Sequence, residues 1–190
     1  GPRWLVSFVG RSDEAYLKAN GFADQPQAYK PFGLLAETKD RFKPAVDLKL
    51  APPTLQITGA AMENEQRVIN ATLRGGRGGL QLAIGFVSNA GVRALIVNGE
   101  EVVGEARFRK DAPVIARILG LGERDIPVQI KFDANGPPPT LILVERSPLP
   151  EGDEPRALKA ARAKNAAPVH SGDNALVMVK VDLTVPPPAP

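Results

Sequence analysis

A chain of 190 residues is long enough to bury a substantial core, and its 43% apolar and 5% aromatic content is typical of a globular protein rather than a disordered one. The absence of cysteine excludes disulfides and thiolate metal sites, and one histidine restricts any histidine-dependent zinc site or catalytic triad to a single residue. The net charge of +3, from 24 basic and 21 acidic residues without a long block of either sign, argues against nucleic acid as a partner.

We predict no signal peptide and no membrane-spanning segment within these residues. No apolar run approaches the roughly 20 residues that a transmembrane helix needs. Gly1-Pro2 is typical of the remnant left by protease cleavage, so we expect this to be an excised piece of a longer polypeptide whose targeting segments lie elsewhere. The 19 prolines and 18 glycines favour many short elements joined by turns.

In chain order, the first predicted elements are a strand over Trp4–Val9 and a short helix from Ser12, as N-cap, through Lys18. From residue 21 to residue 53 the sequence shows little periodicity and several prolines. We predict an ordered crossing segment there, lying over a sandwich. Its apolar anchors are three phenylalanines: Phe22, Phe32 and Phe42.

The central predicted feature is a β-meander over Gln66–Val103, preceded by a strand that begins near Leu55. Apolar and polar residues alternate on both sides of Arg74–Gly79, so each run presents one apolar face at strand period. A P-loop would place a helix after its glycines, and a nucleic-acid-binding RGG tract would be longer and disordered. We therefore predict that Arg74–Gly79 closes a hairpin. Asn98-Gly99 predicts a second hairpin with a type I′ turn.

The remaining elements are predicted from caps, alternation and turns. Asp111 and Pro113 predict a short helix that runs to Leu119 and is ended by glycines. A strand over Val128–Phe132 is predicted to pair with Leu141–Val144 across a proline-rich turn. A short basic helix over Ala157–Lys164 and a last strand over Ala175–Leu183 follow.

These elements predict an all-β fold, because about eight short strands occur without βαβ alternation. The predicted architecture is a two-sheet antiparallel β-sandwich with one or two short helices and a long proline-rich crossing segment. We predict a single domain over 1–190. Within it, residues 1–53 form the N-terminal strand, helix and crossing segment, 54–185 the sandwich core, and 186–190 a proline tail.

The sequence offers no self-contained active site. His170 lies in a polar loop, where Ser171-Gly172-Asp173 is typical of a turn that begins the last strand. Adjacent carboxylates such as Glu100 and Glu101 point to opposite faces of a strand and cannot share a proton. We predict no catalytic, cofactor-binding or metal-binding residue.

A resemblance to a known family rests on the order of the elements and on short matches. The matches are Val97-Asn98-Gly99, Ser147-Pro148-Leu149-Pro150 and Ser171-Gly172-Asp173. With the strand and helix before them, they resemble the C-terminal extracytoplasmic domain of membrane-anchored di-zinc aminopeptidases. These enzymes are bacterial relatives of the endoplasmic-reticulum and vacuolar transmembrane metallopeptidases.

The resemblance implies a non-catalytic accessory β-sandwich. Zinc and peptide hydrolysis would belong to a catalytic domain that is absent from this chain. It also implies a location on the extracytoplasmic, periplasmic side of a bacterial inner membrane, anchored by transmembrane helices not present here. The expected partner is the catalytic domain of the same polypeptide, with the membrane surface as a second candidate. The alternative is a free-standing ligand- or protein-binding sandwich without peptidase parentage.

Two partner surfaces are predicted. The first consists of Phe22, Phe32 and Phe42, whose spacing lacks the alternation that would fix all three in a sandwich core. The second is basic and suits anionic lipid headgroups. It consists of Arg156, Lys159, Arg162 and Lys164. A carbohydrate- or peptide-binding platform is poorly supplied, because Tyr16 and Tyr29 lie outside the predicted strands and the chain has one tryptophan. A structural or assembly domain fits the composition better.

Overall fold

The computed structural model describes residues 3–6, 14–29, 38–88, 91–108, 113–162 and 173–183. Within these residues the chain is mostly β-strand with two short α-helices. Its internal contacts divide it into two compact units. The smaller unit takes the described residues of Gly1–Pro31, Leu35–Leu50 and Pro148–Ala175, and the sandwich unit takes those of Ala51–Ser147 and Leu176–Pro190. The described residues of Pro148–Ala175, which the sequence analysis assigned to the sandwich core over 54–185, group with the N-terminal residues.

The smaller unit combines a three-stranded antiparallel sheet with two helices. The strands are β1 (Arg3–Val6), β2 (Gln27–Tyr29) and β3 (Thr38–Pro44), in the order β1-β3-β2. The helices are α1 (Glu14–Ala19) and α2 (Asp153–Ala160). The predicted strand is confirmed over Trp4–Val6, and its remaining residues lie outside the described ranges. The predicted helix is confirmed over Glu14–Lys18. The predicted cap Ser12 lies outside the described residues.

The crossing segment predicted over 21–53 contains more regular structure than its periodicity indicates, because β2 and β3 form within it. A small apolar cluster of Leu17, Phe22 and Leu158 joins α1 to α2. Lys43 of β3 lies over the Phe22 ring, 5.5 Å from its centre. Pro26 directly precedes β2, and Pro44 is the last residue of β3.

The sandwich unit contains nine strands in two sheets. The five-stranded sheet has the order β4 (Thr54–Glu63), β5 (Gln66–Arg74), β10 (Ile126–Asp133), β7 (Val92–Val97) and β8 (Glu100–Gly104). The four-stranded sheet has the order β12 (Asn174–Asp182), β11 (Thr140–Pro148), β6 (Gln81–Ser88) and β9 (Val114–Leu119).

Side chains from the two sheets share one core. They alternate along their strands, so that one face of each sheet is apolar. From the five-stranded sheet they include Ile69, Leu73, Leu95, Ile130 and Phe132, and from the four-stranded sheet Leu82, Ile84, Phe86, Leu141 and Leu143. The all-β class and the two-sheet antiparallel sandwich are thereby confirmed.

The predicted meander is wrong in its connections. β5 and β6 belong to different sheets, so Arg74–Gly79 crosses between the sheets and does not close a hairpin. β10 and β11 are likewise in different sheets, so the residues between them also form a crossing. Alternation identifies a strand and its buried face but not the partner, and here β10 pairs with both β5 and β7.

The hairpin at Asn98-Gly99 is confirmed. β7 pairs with β8 so that Val97 lies opposite Glu100, which leaves a two-residue loop. Both loop residues have positive φ, 53° at Asn98 and 83° at Gly99, as a type I′ turn requires.

The helix predicted from Asp111 to Leu119 is replaced by strand β9. Val114, Ile115 and Ile118 are β-branched and pack well on a pleated sheet, and all six residues of β9 pair with β6. Asp111 lies outside the described residues. The glycines that were expected to end a helix, Gly120 and Gly122, have positive φ and form the turn after β9.

The last two predicted elements are present. The basic helix predicted over Ala157–Lys164 occurs four residues earlier, as α2, and the predicted last strand corresponds to β12. The proline tail over 186–190 lies outside the described residues. No helix among the residues that the structure describes is long and apolar enough to cross a membrane.

Candidate interaction surface

The phenylalanine surface predicted from the sequence is corrected by the structure. Phe22 and Phe42 are only 5% and 8% exposed. Phe22 belongs to the cluster between α1 and α2, and the backbone of Phe42 accepts a hydrogen bond from Ala23 at 2.9 Å. These two side chains are interior residues and offer no surface to a partner. Phe32 lies outside the described residues.

The predicted basic surface is partly neutralised by its own neighbours. Arg156 and Lys159 are exposed on α2. Arg156 forms an ion pair with Asp153 at 3.5 Å, and Arg162 forms one with Asp173. Lys164 lies outside the described residues. The positive charge that α2 presents is therefore smaller than its sequence indicates.

The glycine-rich segment Arg74–Gly79 encloses a buried carboxylate that the sequence analysis missed. Glu145 of β11 is 1% exposed. Its carboxylate accepts hydrogen bonds from the backbone N–H groups of Gly76 at 2.8 Å, Arg77 at 3.1 Å and Gly79 at 2.9 Å. Successive backbone N–H groups of this kind form an anion-binding nest. The anion in this nest is the chain's own carboxylate.

Glycine is needed in this segment because other backbone lies against it. A Cβ at Gly76 would lie 2.4 Å from the carbonyl oxygen of Ala51, and one at Gly79 would lie 2.7 Å from that of Arg146. Neither oxygen can move without moving the main chain. The repeated glycines indicate a close approach of main chain. The sequence does not show that the hydrogen-bond acceptor is Glu145, which lies 66 to 69 positions further along the chain.

The crossing at Arg74–Gly79 leads into β6. Strand β6 in turn holds β9, the end strand of the four-stranded sheet. β6 pairs with β11 on one side and with β9 on the other. Among the described residues, β9 has a paired neighbour on one side only. Within the part of the chain that the structure describes, its other side is therefore an open edge.

The open edge of β9 borders a groove. The groove has a volume of about 260 Å³ and lies between β9 and the end of the five-stranded sheet. Its walls are Val102 and Val103 of β8, Arg107 of the short 3-10 helix Glu105–Arg107, and Val114–Ile118 of β9. Val114, Ala116 and Ile118 belong to or pack against the sandwich core. Ile115, Arg117 and Leu119 therefore lie on the opposite face of the sheet.

Apolar side chains are exposed along this edge. Leu119, the last residue of β9, is 73% exposed, and Val102 in the facing wall is 45% exposed. Leu80 is also exposed, and its carbonyl oxygen accepts a hydrogen bond from Gly120 at 3.4 Å, which places it on the side of β9 that pairs with β6. Of these three side chains, Val102 lines the groove and Leu119 directly follows its β9 wall. Exposed apolar side chains beside a groove are typical of a binding surface.

The groove also carries positive charge. Arg107 and Arg117 are exposed, and neither forms an ion pair with any residue that the structure describes. This is the opposite of Arg93, whose guanidinium contacts both Asp133 and Glu105. The combination of an open strand edge, apolar walls and two arginines makes this groove the candidate interaction surface.

Comparisons with known proteins do not assign the surface. No family model matches the chain, and no curated protein matches it. Within the described ranges, no group of three or more His, Cys, Asp or Glu side chains is placed to hold a metal ion. His170 lies outside those ranges. The β-branched residues of β9 were the one sequence signal for this surface.

Proposed function

We propose that this chain is a non-catalytic accessory domain of a membrane-bound zinc aminopeptidase and that it contacts the catalytic domain of the same polypeptide. In this proposal zinc binding and peptide hydrolysis belong to the catalytic domain, on the extracytoplasmic side of the membrane. The observation that supports a protein partner is the apolar, positively charged groove beside the open edge of β9. The resemblance of the chain to the C-terminal domains of such peptidases supports the parentage.

The reading frame that encodes the residues before Gly1 tests the parentage. We expect it to encode hydrophobic spans and a peptidase domain with histidine and carboxylate zinc ligands. A frame that encodes neither would contradict the parentage and leave the alternative, a free-standing binding module. The free-standing binding module is the second candidate. The groove suits it as well, because all residues that line the groove belong to the sandwich unit, so binding there requires no other domain.

The membrane surface is a second candidate partner, favoured by the exposure of Arg156 and Lys159 on α2. Attraction to an anionic surface is worth about 1 kcal/mol for each basic side chain near it and weakens with salt. Binding of the chain to anionic vesicles at low salt, lost at high salt and on replacing Arg156, Lys159, Arg162 and Lys164, would support this partner. Equal behaviour of the replaced and original chains would contradict it.

A further inference from the structure

The four end strands of the sandwich differ in their protection against pairing with another strand. β4 has a register shift between Ile57 and Gly59, and the pairing of β8 with β7 is also shifted. β8 moreover begins with two exposed glutamates. β12 carries Lys180, which is exposed and ion-paired with Asp182 at 3.6 Å. Bulges and charged residues are the features with which natural proteins block edge-to-edge pairing.

β9 has no bulge and fewer charged residues than β8 or β12. Its sequence is Val-Ile-Ala-Arg-Ile-Leu, with one charge and no lysine, proline or glycine. It pairs with Gln81–Phe86 of β6 without a register shift, so the strand is regular along its length. A regular apolar end strand is a ready template for the addition of a further strand.

The groove beside β9 has the shape and charge for such a strand. A strand added to the edge of β9 would lie along the groove, with one face toward Val102 and Val103 and the other on the side of Arg117. A second copy of this chain would bring its own Arg107 and Arg117 to the same groove, and like charges oppose that pairing. The charge of the groove instead matches a strand that carries carboxylates.

We propose that the edge of β9 binds an extended segment of the partner protein in which apolar side chains alternate with Asp or Glu. Six residues of β9 match a segment of about six residues, or roughly 20 Å of extended chain. Main-chain hydrogen bonds add the segment to the four-stranded sheet, its apolar face covers Val102 and Val103, and its carboxylates pair with Arg107 and Arg117. The identity of the partner as the catalytic domain rests on the proposed function.

A capped hexapeptide of alternating valine and glutamate tests the edge on the whole chain. We expect it to bind and to slow amide hydrogen exchange in β9 more than in β4 or β12. The same peptide with lysine in place of glutamate is expected to bind at least about tenfold more weakly. Equal binding of the two peptides, or protection confined to β4 or β12, would overturn the proposal.

Charge reversal of the groove provides the matched variants. The double variant Arg107→Glu, Arg117→Glu is expected to bind the glutamate peptide about tenfold more weakly than the original chain does. Lys180→Glu on β12 is expected to leave the affinity for this peptide unchanged. Unchanged affinity of the double variant would overturn the proposal. If the melting temperature shows that the double variant is unfolded, Arg117→Gln replaces it, with a smaller loss of affinity expected.

The same exchange experiment with the catalytic domain separates this inference from the proposed function. If the catalytic domain binds without protecting β9, the strand-addition proposal is overturned and the accessory function stands. If the peptide protects β9 and the catalytic domain does not bind, strand addition at the edge of β9 is supported and the accessory function fails. If the chain self-associates and this protects β9 in the absence of peptide, the proposal of an acidic partner segment is overturned, and a second copy of the chain is the partner of the edge.

Discussion

At the scale of single residues, Glu145 connects the two sheets of the sandwich. It is placed on β11 of one sheet and binds the backbone of the segment that arrives from β5 of the other. The carboxylate satisfies three backbone N–H groups, whose burial without an acceptor would be costly. The glycines around it bring the main chain within reach. A structural role for the glycine-rich segment follows, in place of phosphate or nucleic-acid binding.

We expect Glu145→Ala to lower the free energy of unfolding by about 3 kcal/mol, because one buried and two partly buried N–H groups lose their acceptor. Urea denaturation measures this change. Glu123→Ala is the matched control, since Glu123 is exposed in the turn before β10, and should change stability by less than about 0.5 kcal/mol. Equal effects of the two substitutions would show that the nest does not stabilise the fold.

Tyr16 gives the smaller unit a predicted pH dependence. Its hydroxyl donates a hydrogen bond to the carbonyl oxygen of Leu158 at 3.2 Å. Burial raises the pKa of Tyr16, with Arg162 acting to lower it and Asp173 to raise it. The folded chain therefore holds the phenol proton more tightly than the unfolded chain. This contribution to stability is complete below the unfolded pKa of about 10 and is lost as the pH rises through the raised folded pKa.

The expected result is that the unfolding free energy falls with pH above about 10 more steeply in the original chain than in Tyr16→Phe. At neutral pH the variant should be less stable by about 1 kcal/mol, because it lacks the hydrogen bond to Leu158. Urea denaturation across this pH range measures both. Parallel pH profiles for the two chains would show that Tyr16 does not titrate differently on unfolding.

At the scale of elements, the sequence predicts strands better than it predicts their partners. The alternation that identifies β5, β6, β10 and β11 depends only on neighbouring residues. The assignment of these strands to two sheets depends instead on long-range pairing. β9 shows the converse difficulty, because Asp111 and Pro113 resemble a helix start while pairing with β6 makes a strand. The candidate groove was unpredictable for the same reason, since its main wall was expected to be helical.

The β7–β8 hairpin is the element that local sequence determines most completely. Gly99 has φ of 83°, and a Cβ there would meet nothing within 4 Å, so the constraint is conformational rather than steric contact. We expect Gly99→Val to destabilise the chain by roughly 1 to 3 kcal/mol through backbone strain. Thermal unfolding measures the change. The control is Asn135→Val, at an exposed site in the crossing between β10 and β11, outside any hairpin. An equal melting temperature for Gly99→Val and the original chain would contradict the strain argument.

At the scale of the whole molecule, the proposed function places peptide hydrolysis and partner binding in different parts of one polypeptide. The chain has no cysteine and a single histidine, so its side chains cannot supply the histidine set of a di-zinc site. We expect the purified chain to retain no stoichiometric zinc after dialysis and to cleave no aminoacyl substrate. Elemental analysis and an aminopeptidase assay measure these properties. Tightly bound zinc with activity that a chelator abolishes would contradict the accessory role.

Calorimetric titration of the separately expressed catalytic domain with this chain tests the central claim most directly. The account predicts saturable, stoichiometric binding that persists at high salt in part, because apolar side chains of the groove contribute beside its two arginines. Aminopeptidase activity of the catalytic domain and a cooperative melting transition of the chain establish that both partners are folded. Absence of saturable heat from two folded partners, at low salt as well as high, would contradict the account.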